Sequence, residues 1–229
     1  MNIRAMCLTA TAIIGLAGAA NATTLNSSNW GPLLGNSTGV VGDITATASP
    51  EGSVFTTQDF AGVVGLGVKT EGDGNPQGNE IQALFNEYVT LVFGTATGIA
   101  SVELAHFYMT EQYSGDPLER TLITGFLGGT QVGEVDAQIT APGVISISGA
   151  VAAVVDAVQG RYVLSNLFGG AAIDTLVFKP LLVNPAPSTV DNSDYSIVAV
   201  TPVPVPAAGL LLLGGLGGLA AMKRRKKAA

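Results

Sequence analysis

Between residues 42 and 200 apolar side chains recur at every second position in short runs, each cut off by glycine, asparagine, aspartate or proline. Ile145 and Ile147 flank Ser146, Val89 and Leu91 flank Thr90, and Tyr195 and Ile197 flank Ser196. A period of two sends alternate side chains to opposite faces of an extended backbone. It predicts strands over 42–49, 53–60, 63–68, 87–93, 101–108, 120–127, 131–139, 144–149, 161–166, 174–179 and 195–200, where Val, Ile, Thr, Phe and Tyr concentrate. The run AVAAVVDAV at 150–158 fits a short helix or a strand. No helical pattern of comparable strength competes with these segments. The expectation is an all-β body, an antiparallel two-sheet β-sandwich of jelly-roll-like form.

Both ends break this pattern with continuous apolar stretches. After Arg4, residues 5–20 are predominantly apolar and lead into Ala20-Asn21-Ala22. That is the layout of a secretory signal helix cut between Ala22 and Thr23. At the other end, residues 207–222 form a 16-residue apolar run followed by five consecutive basic residues, Lys223 to Lys227. At 1.5 Å per residue the run spans roughly 24 Å, against about 30 Å of bilayer core. A single short transmembrane helix is expected there, its small residues Gly214, Gly215, Gly217 and Gly218 suited to close helix contact. The basic block stays cytoplasmic by the positive-inside rule, which places the preceding chain outside the cytoplasm. Three regions follow: a signal peptide over 1–22, an ectodomain over 23–201 and a C-terminal segment over 202–229.

Setting the two ends aside changes the charge. Residues 23–201 hold four basic side chains, Lys69, Arg120, Arg161 and Lys179, against all 17 acidic ones, a formal charge of −13. A surface so charged repels nucleic acid and other polyanions unless cations bridge them. The single cysteine, Cys7, falls in the leader. The mature chain thus has no thiolate chemistry and no disulfides, and relies on its core for stability.

Candidate chemistry is sparse. In the loop from Glu71 to Glu80, oxygen-bearing side chains at Glu71, Asp73, Asn75, Asn79 and Glu80 alternate with glycines. Such a chain can wrap calcium, which takes six to eight oxygen ligands. The same residue types also form turns for backbone reasons alone. It is not an EF-hand, since Pro76 and Gln82 stand where that loop needs Gly and Glu. Glu87 is a further carboxylate within reach of the loop in sequence. His106, the sole histidine, falls on the Val102 face of a predicted strand and is expected to be a satisfied, half-buried side chain. Glu103, Glu111, Asp116 and Glu119 lie near strand ends, where paired carboxylates could hydrolyse glycosides. With so many acids, suitable separations also arise by chance. No G-x-S-x-G elbow occurs, and no catalytic residue is assigned. Trp30, Phe107, Tyr108 and Tyr113 are candidate rings for stacking on sugars, or else core.

The tail Val203-Pro204-Val205-Pro206-Ala207, its Leu/Gly run and its Arg/Lys block resemble the PEP-CTERM class of bacterial sorting signals in its VPLPA-type variant. Val205 stands where that variant has Leu. The resemblance implies an exosortase-type membrane transpeptidase as partner, cutting near the motif and passing the protein from the inner membrane to the cell surface. The body is similar to ectodomains that precede such tails, in Gly65-Leu66-Gly67-Val68, Asn79-Glu80-Ile81 and the strand ending at Phe93. Gln82 departs from the Asp often found after that NEI. The expected function is that of a non-enzymatic surface or matrix protein associated with exopolysaccharide. The alternative is a secreted carbohydrate-binding or carbohydrate-active module with calcium-supported glycan recognition.

Overall fold

The computed structural model describes residues 22–71, 79–108, 119–182 and 193–204. The signal segment up to residue 21, the middle of the 71–80 loop and everything from residue 205 lie outside the described residues. So do the predicted signal and transmembrane helices, and among the described residues no helix is long and apolar enough to cross a membrane.

The regular structure of the described chain is nearly all β, and every ladder between its strands is antiparallel. In chain order the strands are β1 (Leu25–Asn26), β2 (Thr38–Val41), β3 (Ile44–Ser49), β4 (Val54–Phe60), β5 (Val63–Lys69), β6 (Ile81–Gln82) and β7 (Tyr88–Ala105). There follow β8 (Arg120–Leu127), β9 (Thr130–Ala141), β10 (Val144–Ser148), β11 (Val151–Asp156), β12 (Arg161–Ser165), β13 (Ile173–Pro180) and β14 (Asp194–Pro204). The ambiguous 150–158 run is therefore a strand, β11.

One long strand organises the pairing. The first half of β7 lies between β3 and β13, and the sheet continues outward through β8, β9 and β10. Its second half lies between β12 and β14, with β11 beyond β12. The free side of β14 receives three short contacts in turn, from β6, β5 and β1. The two halves are one hydrogen-bonded network, consistent with a β-sandwich. Their inward side chains form a single core that includes Ile44, Leu91, Ile123 and Phe178 from one half and Leu66, Leu104, Leu164 and Ile197 from the other. Each large side chain taken fully out of water contributes about 1.5–3 kcal/mol.

The sequence pattern over 87–93 and 101–108 predicts two strands, whereas the structure has one. Along β7 the buried positions are Val89, Leu91, Phe93, Thr97 and Ile99, then Val102 and Leu104. The change from odd to even has a cause in the register. Thr201 of β14 pairs with Ser101 but Pro202 pairs with Ile99, so Ala100 is an extra, bulged residue. A bulge shifts the inward phase by one and breaks the period of two.

Glycines open two close approaches in the sheet. Gly125 of β8 and Gly133 of β9 pair directly across the strands. A Cβ at either would come within 2.7 Å of the Phe168 ring, which lies across both. Phe168 belongs to a tight turn, Leu167–Gly170, in which Asn166, Phe168 and Gly169 all have left-handed φ values. The ring covers backbone that two glycines leave bare.

Candidate functional site

The described polar residues that leave water gather where β5, β6, the end of β7 and the start of β14 meet. Gly65 and Gly67, two apart on β5, face one side. A Cβ on Gly67 would lie 1.8 Å from the Asn79 carbonyl oxygen, and one on Gly65 would lie 2.1 Å from Cβ of Ser196. The bare face of β5 is therefore what admits the 79–80 backbone and Ser196. The Gly65-Leu66-Gly67-Val68 motif has a steric explanation in these contacts.

Above this floor, His106 Nδ1 lies 3.2 Å from Glu80 Oε1 and 3.0 Å from Ser196 Oγ. All three residues are buried. His106 is not on a regular strand as the pattern predicts. β7 ends at Ala105, and His106 has φ 58°, a left-handed turn that aims its ring at Glu80. That turn also carries Phe107 into the core, where its ring meets Tyr162 and Tyr195 edge-on at 6.1 and 5.8 Å.

A second carboxylate stands close by in the chain. Glu87 accepts a hydrogen bond from the Thr70 hydroxyl at 2.6 Å and another from the Gln82 backbone N–H at 2.9 Å. Glu119 accepts from the Tyr108 backbone N–H. Ser193 ties the neighbouring strands together: its hydroxyl accepts from Arg120 N–H at 2.7 Å, and its carbonyl accepts from Ala83 N–H at 2.8 Å. Thr121 donates to the Tyr195 hydroxyl at 2.8 Å. Complete burial drives the Tyr195 pKa upward, more than that hydrogen bond lowers it. Burial, then the charge of Glu119, does the same at Tyr162.

The expected calcium ligands do not come together within the described residues. Glu71 is exposed, Glu80 is turned to His106, and Asn79 Oδ1 accepts from the Thr56 hydroxyl at 3.2 Å. Asp73 and Asn75 lie outside the described residues. Among the described residues no three His, Cys, Asp or Glu side chains gather as a metal site would need. Of the strand-end acids, Glu103 pairs with Arg161 and Glu119 with the Tyr108 N–H, while Glu111 and Asp116 fall outside the described residues. Trp30 and Phe107 are core, and Tyr108 is part-buried with its ring 6.4 Å from that of the exposed Phe60.

Ser196 is the member that sequence reasoning missed. It sits among alternating apolar residues and reads as an ordinary outward position. The signal was Gly-x-Gly inside a strand, which marks a place where another backbone approaches. Serine, histidine and glutamate suggest nucleophilic relay chemistry, but the geometry differs. A relay has serine on one ring nitrogen and the carboxylate on the other. Here both meet Nδ1. The cluster lies where the 79–80 segment and β14 pack against β5.

Of the predicted sorting motif, Val203 and Pro204 lie in β14, opposite Gly98 and Thr97 of β7. The Thr97 hydroxyl donates to the Val203 carbonyl at 2.7 Å. Beyond Val200 the strand has β7 on one side and no described strand on the other, a setting in which prolines at 202 and 204 are tolerated. The first two residues of the motif therefore lie inside the sheet. Val205, Pro206 and Ala207 lie outside the described residues, and Ala22 and Thr23 precede β1. No family profile, curated protein or solved structure matches this chain.

Proposed function

We propose that this chain is a non-enzymatic exported protein of the cell surface or extracellular matrix, sorted through a PEP-CTERM-like tail and associated with exopolysaccharide. The observation that carries the reading is an ordering. The Val203–Ala207 motif begins at the end of the last described strand and leads into a 16-residue apolar run and five consecutive basic residues. On this reading the leader is removed after Ala22, and the body folds outside the cytoplasm as a jelly-roll-like two-sheet sandwich. The short C-terminal helix holds it in the inner membrane until an exosortase-type transpeptidase acts. A cysteine-free acidic body suits that route. The glycan-binding alternative loses Trp30 and Phe107 as stacking rings, because both fill the core.

The test is the intact mass and terminal peptides of the protein isolated from its native envelope. A chain beginning at Thr23 and lacking everything after the 203–207 motif is the expected result. A complete tail would make it a plain membrane anchor and remove the link to exopolysaccharide. Replacing Pro204 and Pro206 by alanine is expected to leave a folded precursor in the inner membrane. Normal surface delivery of that variant would count against sorting.

A further inference from the structure

We infer that β11 is a self-association edge, through which two copies of this chain join their sheets antiparallel. β11 pairs with β12 on one side, and no described strand pairs with its other edge. An open edge offers a row of backbone donors and acceptors, so the group that fits it is another strand. Proteins ordinarily guard such edges with lysine, proline or an inward charge. β11 carries none of these over Val151-Ala152-Ala153-Val154.

The side chains there are apolar on both faces. Ala152 and Val154 stand opposite buried Leu164 and Tyr162, so they point inward, whereas Val151 and Ala153 point outward. Val154 is nevertheless 47% exposed and Val151 58%. The inward face is thus left partly uncovered at Val154, while Ala152 packs against the core.

Charge argues for a second copy as that neighbour. The body carries −13 over residues 23–201, so copies repel one another across most of their surfaces. From Ala141 to Val155 there is no charged residue. Two identical neutral edges can meet where other faces cannot. An antiparallel pair about a twofold axis is self-complementary and closes as a dimer. With the axis at Ala152 or Ala153, inward side chains meet inward and outward meet outward. The bulge at Val155, where Val154 pairs with Tyr162 but Asp156 with Arg161, limits the regular edge to four residues. Its length is about 14 Å, which favours a dimer over a fibre.

The experiment uses the full-length chain with Cys7→Ser, which removes its only cysteine. Single cysteines are then placed at Val151, Ala152, Ala153 and Val154, with Glu51→Cys on an exposed turn as control. Membranes carrying each variant are oxidised and run on non-reducing gels. The expected result is a disulfide-linked dimer that peaks at position 152 or 153 and falls off on both sides. Adding Val151→Lys, an exposed change on the edge, is expected to bring that peak to the control level. A flat profile, as tail-driven association would give, overturns the proposal. So does a cross-link mainly to a different protein, or a peak that Val151→Lys leaves unchanged.

Discussion

Glu80 and His106 are buried together, so their hydrogen bond forms out of water. Removing the Glu80 carboxylate takes one buried partner from the His106 ring, at a cost of about 1–3 kcal/mol. Glu80→Ala is expected to cost that much in urea unfolding of the full chain. Glu80→Gln should cost less, because its amide still offers hydrogen bonds. Equal losses below about 1 kcal/mol would mean that the pair contributes no more than an exposed one. Sequence showed both residues without their meeting. Glu80 reads as the end of an oxygen-rich loop and His106 as a strand residue, and Ser196 lies 90 positions further on. The left-handed turn at His106 joins them, and nothing in the local pattern announces it.

At the level of elements the period of two was a sufficient guide wherever a strand is regular. The Arg120–Leu127 strand was placed to the residue, its end marked by the Gly128-Gly129 turn. The two-residue strands β1 and β6 are too short to show a period, and the Ala100 bulge divided β7. Gly125 and Gly133 look like strand breakers, yet they form the floor beneath Phe168. Gly133→Ala is expected to destabilise the fold by about 1–3 kcal/mol through overpacking against that ring. Combining it with Phe168→Ala should cost clearly less than the two single losses added together, since each removes the other's clash or contact. Simple additivity in thermal or urea unfolding would mean that the ring and the glycines act independently.

The whole molecule is an acidic body with few internal cations, and one ion pair gives its acid response a definite sign. Arg120 donates through Nε and Nη2 to the two carboxylate oxygens of Asp136, at 2.8 and 2.5 Å. That hydrogen bonding, followed by charge attraction, holds the Asp136 pKa below its ordinary value against a partial cost of burial. A carboxyl depressed in the folded state stabilises above its unfolded pKa, near about 3.9, and ceases to do so as pH falls through the folded value. The two side chains are 34% and 31% exposed, so the contribution is about 0.2–1 kcal/mol. Asp136→Asn is expected to lower the urea midpoint slightly near neutral pH and to converge on the parent as pH falls through the depressed Asp136 pKa. A constant difference across that range would assign the loss to something other than the charge. At this scale the all-β character and the net charge were legible from the sequence. The polar cluster was not, because its position depends on which strands become neighbours.

The order in which β14 joins the sheet bears on timing. It lies beside β7 and is the only strand partner that β1 and β6 have among the described residues, yet it is the last of the described strands in chain order. Its Val203 carbonyl is held by Thr97, 106 positions earlier. Contacts so distant in sequence form slowly, since a long loop must close before they are gained. Until residues near 204 are in place, β1 and β6 have no described strand to pair with. The chain therefore closes its sheet late, and Val203 and Pro204 settle only with that closure.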